Sequence, residues 1–180
     1  MTIETCTLGG GCFWCIDSAF RRLNGVVSVV SGYTGGETDN PSYEQVCSGT
    51  TGHAEVVQVR FDTSVISFKE VLEIFFTLHD PTTLNRQGAD VGTQYRSAIF
   101  YHDENQKEIA GKLIASMNRF RVFADPVVTQ IEPFGEFHEA ESYHQDYYEQ
   151  NPRNRYCQLV IAPKLEKFTH KYAHRLAAKA

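Results

Sequence analysis

The stretch Ile3-Glu-Thr-Cys-Thr-Leu-Gly-Gly-Gly-Cys12-Phe-Trp-Cys15-Ile-Asp-Ser-Ala-Phe-Arg-Arg-Leu-Asn24 decides the fold. Ile3 to Leu8 reads as a short strand, and Gly9-Gly-Gly11 as a turn. Between Cys12 and Asn24, Ile16, Phe20 and Leu23 recur on one helical face, and Gly25 marks the stop. Val26 to Val30 follows as a β-branched strand, so the stretch opens a β-α-β unit.

Working outward, a second unit of the same kind follows a loop. Gly32 to Pro41, rich in Gly, Thr and Asn, reads as one long loop. His53 to Phe61 alternates, with Val57, Val59 and Phe61 on one side. Ser67-Phe-Lys-Glu70 is a capping box that opens a helix running to about Leu78. Tyr95 to Tyr101 is a strand, Asp103 caps a long helix to about Arg119, and Val127 to Ile131 is a further strand. Leu165, Phe168, Tyr172 and Leu176 stand at helical spacing near the end. This order predicts an α+β fold: a ferredoxin-like split βαβ core, a mainly antiparallel sheet with helices packed on it, and an irregular C-terminal segment. No linker divides the 180 residues, so a single domain is expected, with a core of about 1–152 and a tail of about 153–180.

Composition removes several function classes. With 42% hydrophobic and 22% charged residues, the chain has too much apolar material for disorder. It has no unbroken apolar run long enough for a membrane span. The net charge of −5 argues against a nucleic-acid binder. Met1 to Cys6 has neither a basic nor an apolar leader region, so a cytoplasmic protein is expected. Its five cysteines are an odd number and cannot all pair within the chain; in a reducing compartment such residues are buried, metal-bound or catalytic.

Cys12 stands where a strand ends, a glycine turn follows and a helix begins. Free backbone N–H groups there favour a thiolate, so its pKa is expected to fall. Cys15 completes a C-x-x-C on the same helical face. Only one such pair exists, with Cys6, Cys47 and Cys157 scattered, so a four-ligand zinc site is not composed and no metal is expected. Phe13 and Trp14 beside the thiol suit a thioether-like substrate, because sulfur and methyl groups pack well on aromatic rings. Glu55 shares strand parity with Val57, Val59 and Phe61. On a core-facing side it would be desolvated, protonated and able to act as an acid; at an edge it would be an ordinary solvated glutamate, and parity leaves both open.

Asp90, between turn glycines, and the tyrosines Tyr43 and Tyr95 are not singled out by local rules. Cys157 follows the irregular stretch Asn151 to Tyr156, which reads as mobile, and a cysteine there can reach a distant oxidised thiol. Cys6 and Cys47 read as packing residues, and His53 as a residue that orients something near Glu55. His170, His174 and the basic tail (Lys164, Lys167, Lys171, Arg175, Lys179) read as solvated.

Together the ordered segments resemble the peptide methionine sulfoxide reductases of type A. The resemblance is carried by Gly11-Cys-Phe-Trp14, Ser31-Gly-Tyr-Thr-Gly-Gly36, Pro41-Ser-Tyr43, Val46-Cys-Ser-Gly-Thr-Thr-Gly-His-Ala-Glu55, His79-Asp-Pro81, Gly92-Thr-Gln-Tyr-Arg-Ser97 and Tyr143-His-Gln-Asp-Tyr147, from about residue 7 to residue 152. It implies the split βαβ fold and these roles. Cys12 is the nucleophile that attacks the sulfoxide sulfur, and Phe13 and Trp14 hold the substrate methyl group. Glu55 protonates the oxygen, with Tyr43, Tyr95 and Asp90 in the same polar site.

The resemblance also implies that methionine leaves, that Cys12 becomes a sulfenic acid, and that a second cysteine closes a disulfide which thioredoxin reduces. It implies substrates of the S epimer, free or in oxidised proteins, a role in protein repair under oxidative stress, and no cofactor beyond that external reductant. Cys157 matches the recycling position, while Cys15 stands where many members carry glycine. Either cysteine, or both in relay, resolves. The chain is expected to act as a monomer, with no nucleic-acid or membrane partner. The competing readings are a thioredoxin-like dithiol oxidoreductase, indifferent to Glu55, and a zinc-binding module.

Overall fold

A computed structural model describes residues 1–178, so Lys179 of the basic tail lies outside the described residues. The strands of the main sheet are β1 (Ile3–Gly9), β2 (Val26–Thr34), β3 (Ala54–Asp62), β6 (Ala98–Tyr101), β7 (Gln130–Pro133) and β8 (Phe137–Glu139). The helices are α1 (Phe13–Phe20), α2 (Tyr43–Cys47), α3 (Phe68–Phe75), α4 (Glu104–Arg119), α5 (Tyr147–Gln150) and α6 (Ala162–Lys171). A two-stranded hairpin, β4 (Arg86–Gln87) with β5 (Asp90–Val91), stands apart from the sheet.

The sheet order is β7-β6-β1-β3-β2-β8. Its middle four, β6-β1-β3-β2, interleave two β-α-β units, which is the split βαβ arrangement. Every pairing is antiparallel except β6 with β7. Val57, Val59 and Phe61 bury on the main core side with Leu8, Ile99, α1 and α3. The alternate residues Ala54 and Val56 join Ala98 and Phe100 in a smaller cluster on the other face, as a period of two requires.

Local signals work where they were read. Ser67 Oγ accepts the Glu70 N–H at 3.2 Å and Glu70 Oε2 accepts the Ser67 N–H at 2.8 Å, closing the expected capping box. Asp103 caps α4 through the Gln106 N–H. Other boundaries move. The strand expected from Tyr95 begins at Ala98, because Thr93–Tyr95 forms a 3-10 turn. The strand expected from Val127 begins at Gln130, and β2 extends to Thr34 into the long loop.

The chain beyond β8 is irregular, with one short 3-10 turn and the single-turn α5, until Cys157. Cys157 does not continue the irregular stretch that precedes it. It opens a wide π-helical turn, Cys157–Ile161, that runs into α6, and its side chain is wholly buried in the main core. α6 packs on α1, and Cys157 joins the core cluster that holds Cys15 and Ile16, a placement no local pattern encodes.

Candidate active site

Gly11, at φ +80°, turns the chain from β1 into α1, where L side chains rarely fit. A Cβ there would also lie 2.6 Å from Gln87 Cγ, and one at Gly10 would lie 2.9 Å from the His79 ring. Gln87 is fixed to the Asp80 N–H and carbonyl at 2.9 and 3.0 Å, and His79 Nε2 to Ser97 Oγ at 2.7 Å. The glycines thus let two anchored side chains press on the turn that aims Cys12.

Cys12 is the N-cap residue of α1 and is nearly buried. Burial pushes its thiol pKa well above the ordinary value. The hydrogen bond it donates to Cys15 and the charge of Glu55 add to this, and the Trp14 N–H opposes it. This corrects the expectation of an acidic Cys12: the helix start supplies a donor, but the sulfur has left water. The lowered group is Cys15, chiefly because it accepts that hydrogen bond, with Lys164 helping. Within the pair Cys12 is the donor and Cys15 the acceptor, so the thiolate is favoured at Cys15 over Cys12.

Glu55 pairs with Tyr33 across β3 and β2, and only 1% of it is exposed. The parity question is settled: it faces the helices. Its Oε1 accepts the Phe13 N–H at 3.2 Å at the head of α1, and its Oε2 is buried with no partner. Burial pushes its pKa up to about 8 against that hydrogen bond, with Asp90 and Cys15 raising it further. At neutrality it is a carboxylic acid with one free oxygen inside the site.

The Phe13 ring is fully buried and stacks on Tyr43, at 6.4 Å and 14°. Burial and the nearby charge of Glu55 hold the hydroxyls of both Tyr43 and Tyr95 well above the ordinary tyrosine range. The Tyr95 carbonyl accepts the Gly11 N–H at 3.1 Å, which ties the 3-10 turn to the Cys12 turn. Asp90, on β5, accepts the Tyr156 hydroxyl at 2.7 Å. Tyr156 stands edge-on to Trp14 at 5.9 Å and immediately precedes Cys157, whose thiol is raised by burial and by Cys15. Cys12, Phe13, Trp14, Cys15 and Glu55, read from local pattern, Cys157, and Tyr43, Asp90 and Tyr95, given a place only by the resemblance, therefore lie together around the head of α1.

Other residues lie elsewhere or were missed. Cys6 is buried in β1, as read, but Cys47 is exposed beside Tyr43, because α2 is a surface turn. His53 holds the loop after β2 through the Gly36 N–H and the Thr38 carbonyl rather than touching the site. Sequence reasoning gave no role to His144 or Tyr147. Trp14 Nε1 donates to His144 Nδ1 at 3.0 Å, and Tyr147 lies flat on the indole at 3.7 Å and 7°. Only their place in the Tyr143 to Tyr147 segment pointed to them. Among the described residues no group of His, Cys, Asp and Glu is arranged to hold a metal.

The family profile described as peptide methionine sulfoxide reductase matches residues 4–176. A peptide methionine sulfoxide reductase MsrA of Chromobacterium violaceum is 55% identical over 174 residues, 97% of this chain and 99% of that one. Reduced Mxr1 of Saccharomyces cerevisiae superposes with a TM-score of 0.76 at 39% identity, covering 86% of this chain and 89% of the other. Mxr1 in complex with Trx2 also matches, with a TM-score of 0.53 and 28% identity over 81% of this chain and 84% of that one.

Proposed function

This chain belongs to the peptide methionine sulfoxide reductase family, and from that premise we propose how its residues divide the reaction. The observation that carries the reading is the buried Glu55 carboxyl, with one unpartnered oxygen, set at the same helix start as Cys12; burial favours its protonated form. Sulfoxide reduction needs an acid there, because the oxygen must be protonated as the S–O bond breaks; thiol–disulfide exchange breaks no such bond.

The methyl group of a methionine S-sulfoxide rests on Phe13 and Trp14, with Tyr43 and Tyr95 hydrogen-bonding its oxygen. Cys12 attacks the sulfur while its proton passes to Cys15, and Glu55 gives its own proton to the oxygen. Methionine leaves, and Cys12 carries the hydroxyl as a sulfenic acid. The Cys15 thiol then attacks the Cys12 sulfur, and its proton leaves with the hydroxyl as water, forming a Cys12–Cys15 disulfide. The Cys157 thiol, in the field of Cys15 rather than Cys12, exchanges into that disulfide.

Thioredoxin returns the two electrons and becomes the oxidised partner; the complex of Mxr1 with Trx2 supports this assignment. Substrates are free and protein-bound methionine sulfoxide, which makes the activity one of protein repair under oxidative stress. One chain supplies every group, so we assign a monomer. A cycle fed by a dithiol, with five unpaired cysteines, belongs in the cytoplasm.

The test uses separated S and R epimers of a blocked methionine sulfoxide, with dithiothreitol as reductant, on wild type and Cys12→Ser. Turnover of the S epimer alone, abolished in Cys12→Ser, supports the reading. A folded, reduced wild type that turns over neither epimer overturns it and returns the dithiol-exchange reading.

A further inference from the structure

The chain between β8 and α5 holds no long element, yet it is fixed by Glu141, which accepts from the Tyr33 hydroxyl and the Tyr43 N–H at 3.1 Å each, and then by Gln145 and Asp146 next to the indole. Gln145 Oε1 accepts the Ser31 N–H at 2.8 Å, and its Nε2 donates to the Ser31 and Ala140 carbonyls at 2.9 and 3.2 Å. One residue later, the Asp146 N–H donates to Asp17 Oδ2 at 2.9 Å. Asp17 lies on α1, two residues after Cys15, and is fully buried. Its other oxygen accepts the Arg21 Nε–H at 2.6 Å, and Arg21 continues to the Val29 carbonyl at 2.7 Å.

Burial raises the Asp17 pKa to about 6 against the pull of Arg21, so the fold carries a costly carboxyl that the chemistry above does not use. Asp146 itself sits at φ +51°, in the left-handed region that L side chains adopt uncommonly and Asn and Asp most readily. That turn separates His144 from Tyr147 and lets both reach the same indole. His144 takes the Trp14 Nε1–H from one side, and Tyr147 covers the ring face.

We propose that Asp17 is a positioning residue of the substrate pocket. Through the Asp146 N–H it sets the left-handed turn that clamps His144 and Tyr147 on Trp14, and so fixes the indole against which the substrate methyl group rests. The proposal depends on the sulfoxide reading for its substrate, but not for its geometry.

Trp14 is the chain's only tryptophan, so emission excited selectively at the indole, away from tyrosine absorption, reports on its surroundings. Asp17→Asn keeps the shape but offers one acceptor to two donors, the Arg21 Nε–H and the Asp146 N–H. Loss of one such bond to the strap is expected to raise KM for the S-sulfoxide roughly tenfold and to leave kcat within about threefold. Native-state emission is expected to shift to the red. Gln145→Met breaks the second anchor with the Asp17 pair intact and is expected to move KM and emission in the same direction. It carries the test if Asp17→Asn fails to fold.

Val71→Ala, a buried α3 change outside the strap, is the control: it lowers Tm and leaves KM and emission alone. The proposal is overturned if Asp17→Asn, or Gln145→Met in its place, behaves like Val71→Ala, with a lower Tm and wild-type KM and emission. A wild type inactive on both epimers would fail the functional reading instead, and emission would still decide the clamp.

Discussion

Glu55→Gln separates what the buried acid does for the reaction from what it costs the fold. Burial carries the carboxyl from an ordinary 4.5 to about 8. Between those values the folded protein keeps a proton that the unfolded chain has lost, so rising pH favours the unfolded chain across that window and no further. At pH 7 this linkage destabilises the fold by on the order of 3 kcal/mol.

Gln has no proton to lose and keeps the oxygen that accepts the Phe13 N–H. The variant should therefore melt above wild type at pH 7 to 8, by several degrees at roughly 2–4 °C per kcal/mol for a chain of this size. The gap should shrink to a few tenths of a kcal/mol as pH falls to about 4.5 and vanish below it, where the position is neutral in folded and unfolded wild type alike. The same change removes the acid and should lower the rate of sulfoxide reduction roughly 10²–10⁴-fold. In wild type, supply of the neutral carboxyl is full below pH 8 and should fall tenfold per pH unit above it.

Calorimetric scans across pH, paired with single-turnover reduction of the S epimer, read both effects. A Tm difference that does not change between pH 4.5 and 8, or a variant as fast as wild type, would refute the assignment of Glu55 as a buried protonated acid.

The remaining predictions concern the cysteines and the turns. After one turnover without reductant, peptide mapping should find Cys12 bonded to Cys15, and Cys15→Ser should instead accumulate the sulfenic acid or a slower Cys12–Cys157 bond; a wild-type bond made directly to Cys157 would remove Cys15 from the relay. Gly11→Ala meets both a φ of +80° and the anchored Gln87, and should cost about 1–3 kcal/mol by denaturant melting together with a marked loss of turnover. Ser67→Ala, which breaks the α3 capping box far from the thiols, should cost about 1 kcal/mol and leave kcat/KM at the wild-type value.

Much of the fold was legible because its signals are local. The β-α-β start, the alternation of Val57, Val59 and Phe61, and the Ser67 and Asp103 caps each lie within one element, and each formed as read. The Cys12 to Cys15 segment likewise announced a thiol at a helix start. Strand β8 was illegible because three residues on a sheet edge carry too little pattern to stand out from loop. The ionisation of Cys12 was misread because the rule for a helix terminus contains no term for burial, which here outweighs it.

By itself the sequence determined the opening β-α-β unit and a cysteine beside two aromatic residues at a helix start, because local spacing encodes them. Only the folded chain buries Glu55 and Cys157 and brings His144 and Tyr147 onto Trp14. The hydrogen bond from Trp14 to His144 spans 130 positions of chain. Proton affinity and ring orientation depend on which groups exclude water from a site, and those groups arrive from distant segments only when the chain has folded.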